Sequence, residues 1–316
     1  MKVLVTGGSG LLGRAVADLL VARGDDVDCF QRSASGSTAT DVRGDIRDRD
    51  AVLAAAGGHD AVVHLAALVA PRPAWDDAYA VNVTGTLHVI EAATGCGRLV
   101  HVSSPSVSFD GRPAVGAGAE PPEYRGRDAY TRSKAVAERL VLARAPAATV
   151  VVRPHLVWGP GDTQLVGRIV DRARQGRLAL PDHGRALVDT TYVDDAAAAV
   201  VAGLDRTADS EEACGRAWVV TGNDPRPLAE LVQGILSAAG VDPSVRSVPA
   251  PVAALVGRAL DRWWTGDEPP LTHFAARQLS VAHWFDQTET QRVLQWGPHV
   301  GVDQGLARLA DWYARR

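Results

Sequence analysis

The segment that most constrains this chain lies at its N-terminus. The apolar run Lys2–Thr6 passes directly into Thr6-Gly7-Gly8-Ser9-Gly10-Leu11-Leu12-Gly13, and a helical pattern begins at once. A strand ending in closely spaced glycines before a helix forms a βα turn whose backbone N–H groups and helix N-terminus face an anion. Gly7 is expected to permit the tight turn, Gly10 to let the backbone approach a pyrophosphate, and Gly13 to allow close packing of helix on strand. Ser9, Leu11 and Leu12 complete the expected cradle. A glycine triplet alone also suits a simple turn; the strand before it and the helix after it select the dinucleotide reading.

Short Val-rich runs alternate with Ala/Leu/Arg segments of helical period through the first half, the rhythm of βαβ units. Strands are expected at Lys2–Thr6, Asp26–Gln31, Val42–Asp45, Ala61–Leu65, Arg98–Ser103 and Thr149–Arg153. Helices are expected at Leu11–Arg23, Arg49–Ala56, Ala74–Ala93 and Asp128–Arg144. Near-continuous hydrophobicity in the strands implies burial on both faces, hence a doubly wound parallel α/β sheet of Rossmann type. After residue 154 the rhythm breaks at Gly/Pro-rich joints (Trp158–Asp162, Leu180–Gly184, Gly222–Pro227) and a Trp-rich stretch, Arg262–Trp296. Residues 1–154 are therefore expected to bind the nucleotide. Residues 155–316 would form a smaller substrate domain, with some elements returning to the sheet.

A net charge of −4 argues against an electrostatic grip on nucleic acid or anionic lipid. Cys29, Cys96 and Cys214 are too few and too scattered for a disulfide framework or a structural zinc site. No run approaches the length of a signal peptide core or a membrane span. A cytoplasmic protein is the expectation.

The end of the second strand selects between the nicotinamide cofactors, because an acid there accepts from a ribose 2′-hydroxyl and repels a 2′-phosphate. Here it reads Cys29-Phe30-Gln31-Arg32-Ser33, without an acid. Arg32 offers a planar fork to a phosphate, with Ser33 beside it, so NADP(H) is expected over NAD(H). Asp45, followed by Ile46, is suited to accept from an adenine amino group or to cap the next helix. Leu65-Ala66-Ala67 are small enough for a cofactor to lie over.

Tyr130 and Lys134 stand four apart on an expected helix, hence on one face. Reduction of a carbonyl by hydride needs a proton donor, and a neighbouring ammonium is expected to bring a phenol toward its working range. Of the 33 basic residues only Lys2 and Lys134 are lysines, so chance pairing is a weak account. Ser103-Ser104 place hydroxyls at the carboxyl edge of the sheet, where open α/β folds bind ligands; strand-end turn chemistry would use them equally.

Thr6–Gly13, Ser104, Tyr130 with Lys134, and Arg153-Pro154 leading to Trp158-Gly159-Pro160-Gly161 together resemble the extended short-chain dehydrogenase/reductase superfamily. Ala186–Asp195 resembles its 3β-hydroxysteroid dehydrogenase branch. Arg153–Leu165, Asp189–Asp195 and the stretch 266–285 look most like bacterial 2-alkyl-3-oxoalkanoate reductases of long-chain olefin biosynthesis. The resemblance implies that Ser104 hydrogen-bonds the substrate oxygen, Tyr130 delivers the proton, and Lys134 tunes Tyr130 and holds the nicotinamide ribose. It implies that Asn82 holds the active-site helix and a water relay, and that Pro154 and Val157 make backbone contacts near the nicotinamide. It further implies a homodimer through the helices at Ala74–Ala93 and Asp128–Arg144, and association with other enzymes of the olefin pathway. Gln31-Arg32 departs from the steroid-oxidising pattern and turns the expectation to NADPH-linked reduction.

A ketone flanked by alkyl chains needs an apolar cleft. Ser106, His155 and Tyr192 are the substrate-side candidates, His155 as a cationic partner for a substrate carboxylate. The amphipathic segment from Pro249 to Gly266 reads equally as a lid, a peripheral membrane contact or a core helix. A 3β-hydroxysteroid dehydrogenase, a nucleotide-sugar epimerase or dehydratase on the same scaffold, and a non-catalytic NADP-binding sensor are the alternatives.

Overall fold

In the computed structural model, which describes residues 1–70, 72–123, 128–265 and 269–316, the first half keeps the alternating rhythm. Its elements are β1 (Lys2–Thr6), α1 (Leu11–Ala22), β2 (Asp26–Gln31), β3 (Thr40–Arg43), α2 (Arg49–Ala56), β4 (Ala61–His64), α3 (Trp75–Ala78), α4 (Gly85–Cys96), β5 (Arg98–Val102), β6 (Ala114–Ala117), α5 (Ala129–Arg144) and β7 (Ala148–Pro154). The third strand sits two residues earlier than expected. The chain leaves the ladder at Gly44, where a Cβ would come within 2.4 Å of the Phe30 ring, and Asp45 turns back to accept from its own neighbour Arg47. The single helix expected at Ala74–Ala93 is divided by a π-helical turn, Tyr79–Thr84, which turns Asn82 inward. Such inserted turns recur at functional sites.

The second half contributes β8 (Val157–Trp158), α6 (Val166–Arg174), β9 (Ala179–Pro181), β10 (Leu187–Val188), β11 (Thr191–Tyr192), α7 (Val193–Asp209), β12 (Arg216–Val220), β13 (Arg226–Pro227), α8 (Leu228–Ala238), β14 (Arg246–Val248), α9 (Ala250–Trp263), α10 (His273–Leu279), β15 (His283–Phe285), α11 (Thr288–Leu294) and α12 (Val302–Ala314). Gly266, the expected end of the amphipathic segment, lies outside the described residues.

Seven strands form one parallel sheet in the order β12-β7-β5-β4-β1-β2-β3. Alternate side chains leave it on opposite faces. Val3, Val5, Val63, Val100 and Val152 meet α1 and α7, whereas Leu4, Val62, Leu99 and Val151 meet the α2, α4 and α5 side. The order reverses between β1 and β4, so the carboxyl ends of those strands open a crevice, the place where ligands bind in such sheets. A smaller sheet, β13-β10-β15-β6, draws β6 from the first half against strands from the second, and a separate core of Trp158, Tyr192, Leu231, Ile235 and Leu309 lies beside it. Among the described residues no helix is long and apolar enough to cross a membrane.

Candidate active site

The glycine loop is shaped by contacts of its own backbone. Gly7 has φ +81°, and a Cβ there would lie 2.6 Å from the Ala66 amide nitrogen. A Cβ on Gly13 would lie 2.2 Å from the Gly7 carbonyl oxygen, so Gly13 packs on the loop itself rather than on the strand as expected. Gly10 differs, since its Cβ position is open but for Gly7 O at 3.5 Å. It precedes α1, whose first turn has neither a capping side chain nor an acid. Ser9 and Gly10 are exposed, and although the Gly10 amide donates to the Gly7 carbonyl (3.1 Å), the positive end of the helix dipole faces solvent where a pyrophosphate would sit. The loop fits a dinucleotide. Leu11 and Leu12 turn half-buried side chains to the cores, which leaves their backbone for the ligand. Gly8 escaped the sequence reading although a Cβ on it would meet Cys29 Sγ at 2.7 Å and Gln31 Oε1 at 2.9 Å.

At the end of β2, Gln31 is buried and donates to Asp41 Oδ1 (2.8 Å), while its Oε1 has no partner among the described residues. Asp41 also accepts from the Ser35 amide, so this carboxylate, which no strand-end motif announced, is engaged. Arg32 and Ser33 are exposed. Arg43 donates to the Arg32 carbonyl (3.1 Å) and Arg14 to the Ser35 carbonyl (3.1 Å), which gathers three guanidinium groups around the strand end. Asp45 is held by Arg47, which keeps its carboxyl below the usual range. The capping role considered for Asp45 belongs instead to Asp48, which accepts from the Ala51 amide at the start of α2. The Ile46 side chain is buried against Gly85, leaving only its backbone available to a ligand. Leu65 and Ala66 donate their amides to Thr6, fixing the strip Leu65-Ala66-Ala67 along the loop.

Tyr130 and Lys134 lie in the first half of α5, which Asp128 caps through the Thr131 amide (2.7 Å). Lys134 is 4% exposed and donates to the Val102 carbonyl at the end of β5 (2.7 Å). Burial lowers its ammonium to about 8, with Glu138 opposing the shift. The phenol departs from expectation. Burial, with the Asp128 carboxylate adding to it, pushes Tyr130 up to about 12 rather than down toward neutrality, so the phenol is protonated. Ser104 caps a short 3₁₀ turn, Pro105–Ser108, and its Oγ lies 2.9 Å from Ser106 Oγ. Ser103 Oγ is buried without a partner among the described residues.

A chain of hydrogen bonds links the glycine loop to this helix, and its donors can be assigned one by one. Thr86 gives its one proton to the Asn82 carbonyl (2.6 Å), so His64 Nε2 must donate to Thr86 Oγ1 (3.0 Å). Nδ1 of the neutral ring then accepts from Thr6 Oγ1 (2.7 Å), which itself accepts from the Ala66 amide. The Asn82 amide donates to Leu68 O and Ser133 Oγ (2.9 Å), and Ser133 donates to the Tyr130 carbonyl (2.7 Å). Full burial, with Lys134 nearby, lowers His64 to about 3, so the imidazole stays neutral as this chain requires. Asn82 ties the loop after β4 to α5. His64, Thr6 and Thr86 were not singled out from sequence; the one signal was a histidine inside an otherwise apolar strand.

Beside Ser104 lies a largely apolar cavity lined by Ser106, Phe109, His155, Gln278, His283 and Phe285 among others. Two of the substrate-side candidates, Ser106 and His155, therefore meet there. His155 Nε2 lies 2.8 Å from His283 Nδ1, a contact between residues 128 positions apart. Burial, with each ring against the other, holds His155 well below its ordinary value, and burial brings His283 to about 4. A neutral His155 cannot be the cationic partner expected for a carboxylate. Tyr192 is not among the cavity residues; it packs edge-on to Trp158 in the second core, over Gly305. Arg153, buried in an ion pair with Glu138, also donates to the Glu120 carbonyl (2.7 Å) and fixes the cavity wall. Pro154 ends β7 opposite Val220, and Val157 stands opposite Thr191.

Residues 3–220 match the model of the NAD dependent epimerase/dehydratase family. The chain is 41% identical to a 2-alkyl-3-oxoalkanoate reductase of Stenotrophomonas maltophilia, covering 98% of each. It is 30% identical to a 3 beta-hydroxysteroid dehydrogenase/Delta 5-->4-isomerase of Mycobacterium tuberculosis, over 99% of this chain and 90% of that one. A short-chain dehydrogenase/reductase superfamily protein of Agrobacterium tumefaciens, solved with bound NAD, superposes with TM-score 0.77 at 24% identity, covering 100% of this chain and 98% of the other. With a strand, a bare glycine loop and a helix at the switch point of a parallel sheet, and a Tyr/Lys pair on the helix beside it, the chain belongs to the NAD dependent epimerase/dehydratase family of extended short-chain dehydrogenases/reductases and is a nicotinamide-dependent oxidoreductase.

Proposed function

We propose that this chain is an NADPH-dependent ketoreductase that converts a 2-alkyl-3-oxoalkanoate to the 2-alkyl-3-hydroxyalkanoate, as in long-chain olefin biosynthesis. The observation that carries the reading is the Tyr130/Lys134 pair, one turn apart on α5, with Ser104 linked through Ser106 to an apolar cavity. The cofactor, when bound, supplies the hydride to the ketone carbon. Ser104 donates a hydrogen bond to the ketone oxygen, and Tyr130 gives that oxygen its phenolic proton as the alcohol forms. Lys134, fixed by Val102 O, places a cation near the phenol that is left and favours its anionic form. Asn82 and Ser133 set the pitch of the helix that carries both groups.

Support for the alkyl substrate comes from the 41% identical relative and from the apolar residues, Phe109 and Phe285 among them, that gather beside Ser106. Support for NADPH comes from Arg14, Arg32 and Arg43 about the end of β2, a set suited to a 2′-phosphate. The steroid reading draws on the 30% identical relative and uses the same catalytic groups. Following NADPH and NADH oxidation against 2-alkyl-3-oxo acids, 3-ketosteroids and nucleotide sugars tests the proposal. Turnover of the oxo acids with NADPH is expected; turnover confined to a steroid or a sugar nucleotide would overturn it.

A further inference from the structure

Among the described residues, nothing covers one apolar face of helix α9. Val252, Leu255, Val256, Ala259 and Trp263 fall within one arc of about 100° on an α-helix, and all are exposed, Leu255 to 66% and Trp263 to 75%. The opposite face is the one that packs. A Cβ on Gly257 would lie 2.8 Å from the His273 amide nitrogen of α10, and Asp261 accepts from that amide at 3.0 Å. This helix is therefore folded against the body and presents its apolar arc outward.

Arg258 and Arg262, one turn apart and exposed, border the arc, and Trp264 follows the helix with its carbonyl accepting from Arg72 (3.1 Å). The single acid of α9, Asp261, is already engaged by α10. Aromatic and apolar side chains edged by arginines match the level where acyl chains meet anionic headgroups. We propose that the outer face of α9 docks on an anionic lipid surface. The helix has 14 residues and lies along such a surface rather than through it. A second copy of the chain fits less well. An arc about 21 Å long and about 10 Å wide covers about 200 Å², well short of the about 800 Å² per partner of a stable interface. A two-fold pairing would also bring two sets of Arg258 and Arg262 together. The net charge of −4 opposes diffuse attraction, so the contact is local.

The location gives the surface a use. Inward of α9, Gln278 of α10 lines the cavity and Phe274 stands edge-on to the cavity residue Phe109, with ring centroids 5.6 Å apart. The docking face thus lies one helix layer outside the cavity.

The test is flotation of the whole chain with vesicles of phosphatidylcholine and phosphatidylglycerol in equal parts, beside vesicles of phosphatidylcholine alone. The wild-type chain is expected to float with the mixed vesicles. The double variant Leu255→Asp/Trp263→Asp is expected to lose at least about tenfold in partitioning, since two large apolar anchors are removed. Arg258→Glu/Arg262→Glu is expected to lose the preference for phosphatidylglycerol. Thermal melting confirms that both variants are folded, as exposed positions allow. Absence of flotation, or flotation that the Leu255→Asp/Trp263→Asp variant keeps, would overturn the proposal. So would a wild-type dimer that this variant dissociates, which would assign the face to a second copy. Flotation reads no turnover, so this inference and the ketoreductase reading fail separately.

Discussion

The glycine loop and the cavity beside Ser104 are built in opposite ways. In the loop, backbone closes on backbone: Gly13 packs on Gly7 within the loop, and Gly7 on the strip that follows β4. In the cavity, side chains from distant segments meet. His155 bonds His283, β6 pairs with β15, and Phe109 reaches Phe274. A site made by close backbone approach tolerates few residue types at its glycines, whatever side chains surround it. A site assembled across the fold tolerates many residue types and depends on the whole tertiary arrangement.

That contrast predicts where damage falls. Between the two regions stands the helix that carries the proposed proton donor, and Tyr130→Phe, which would remove that donor without changing shape, is expected to lower kcat about 10³-fold with cofactor affinity intact. Steady-state kinetics with a parallel cofactor titration checks this, and turnover near the wild-type level would remove Tyr130 from the chemistry. In the local region, Gly13→Ala forces a Cβ to 2.2 Å from a backbone carbonyl and is expected to cost about 3 kcal/mol of stability along with cofactor binding. Chemical denaturation measures it; a stable variant that still binds cofactor would mean the loop is less self-determined than its contacts imply.

The buried imidazoles sharpen the comparison by pH. His64 sits at about 3 in the folded chain and near 6.5 when unfolded, so between these values the unfolded chain binds the extra proton. Stability is then expected to fall as pH drops below about 6.5, by up to about 1.4 kcal/mol per pH unit for each such histidine. His101, His155 and His283 are lowered in the same direction, each chiefly by burial. Melting curves at pH 7 and pH 5 read the sum, and His64→Gln should flatten the slope by one histidine's share. An unchanged slope would remove His64 from the buried chain. The smallest effect expected is on cofactor choice. Arg32→Asp should shift the ratio of kcat/KM for NADPH over NADH about tenfold toward NADH, the loss of one phosphate pairing among three neighbouring arginines. An unmoved ratio would transfer that choice to Arg14 and Arg43.

Much of the architecture was legible before any coordinates. Strand β1 and the glycines are local features of the chain, β2 and α2 span the residues that periodicity placed in them, and α5 begins one residue after its expected start. The π-helical turn was not legible, because an inserted residue leaves the apolar period of a helix almost unchanged while moving Asn82 inward. Nor was the raised phenol of Tyr130. A spacing of four puts Lys134 on the same face, but its ammonium is directed to the Val102 carbonyl, and burial governs the phenol. Tyr192, with a motif around it as suggestive as any in the chain, belongs to the second core.

By itself the sequence determined the strands and helices whose alternation implies a parallel sheet, the glycine loop and the Tyr/Lys pair, because each of these is set by a local pattern of residues. Only the tertiary structure decided that His64 connects the loop to Asn82, that His155 is neutral, and that α9 turns its apolar arc outward. Those outcomes depend on which desolvated groups meet across long separations, and burial, unlike helical or strand period, is a property of the whole packed chain.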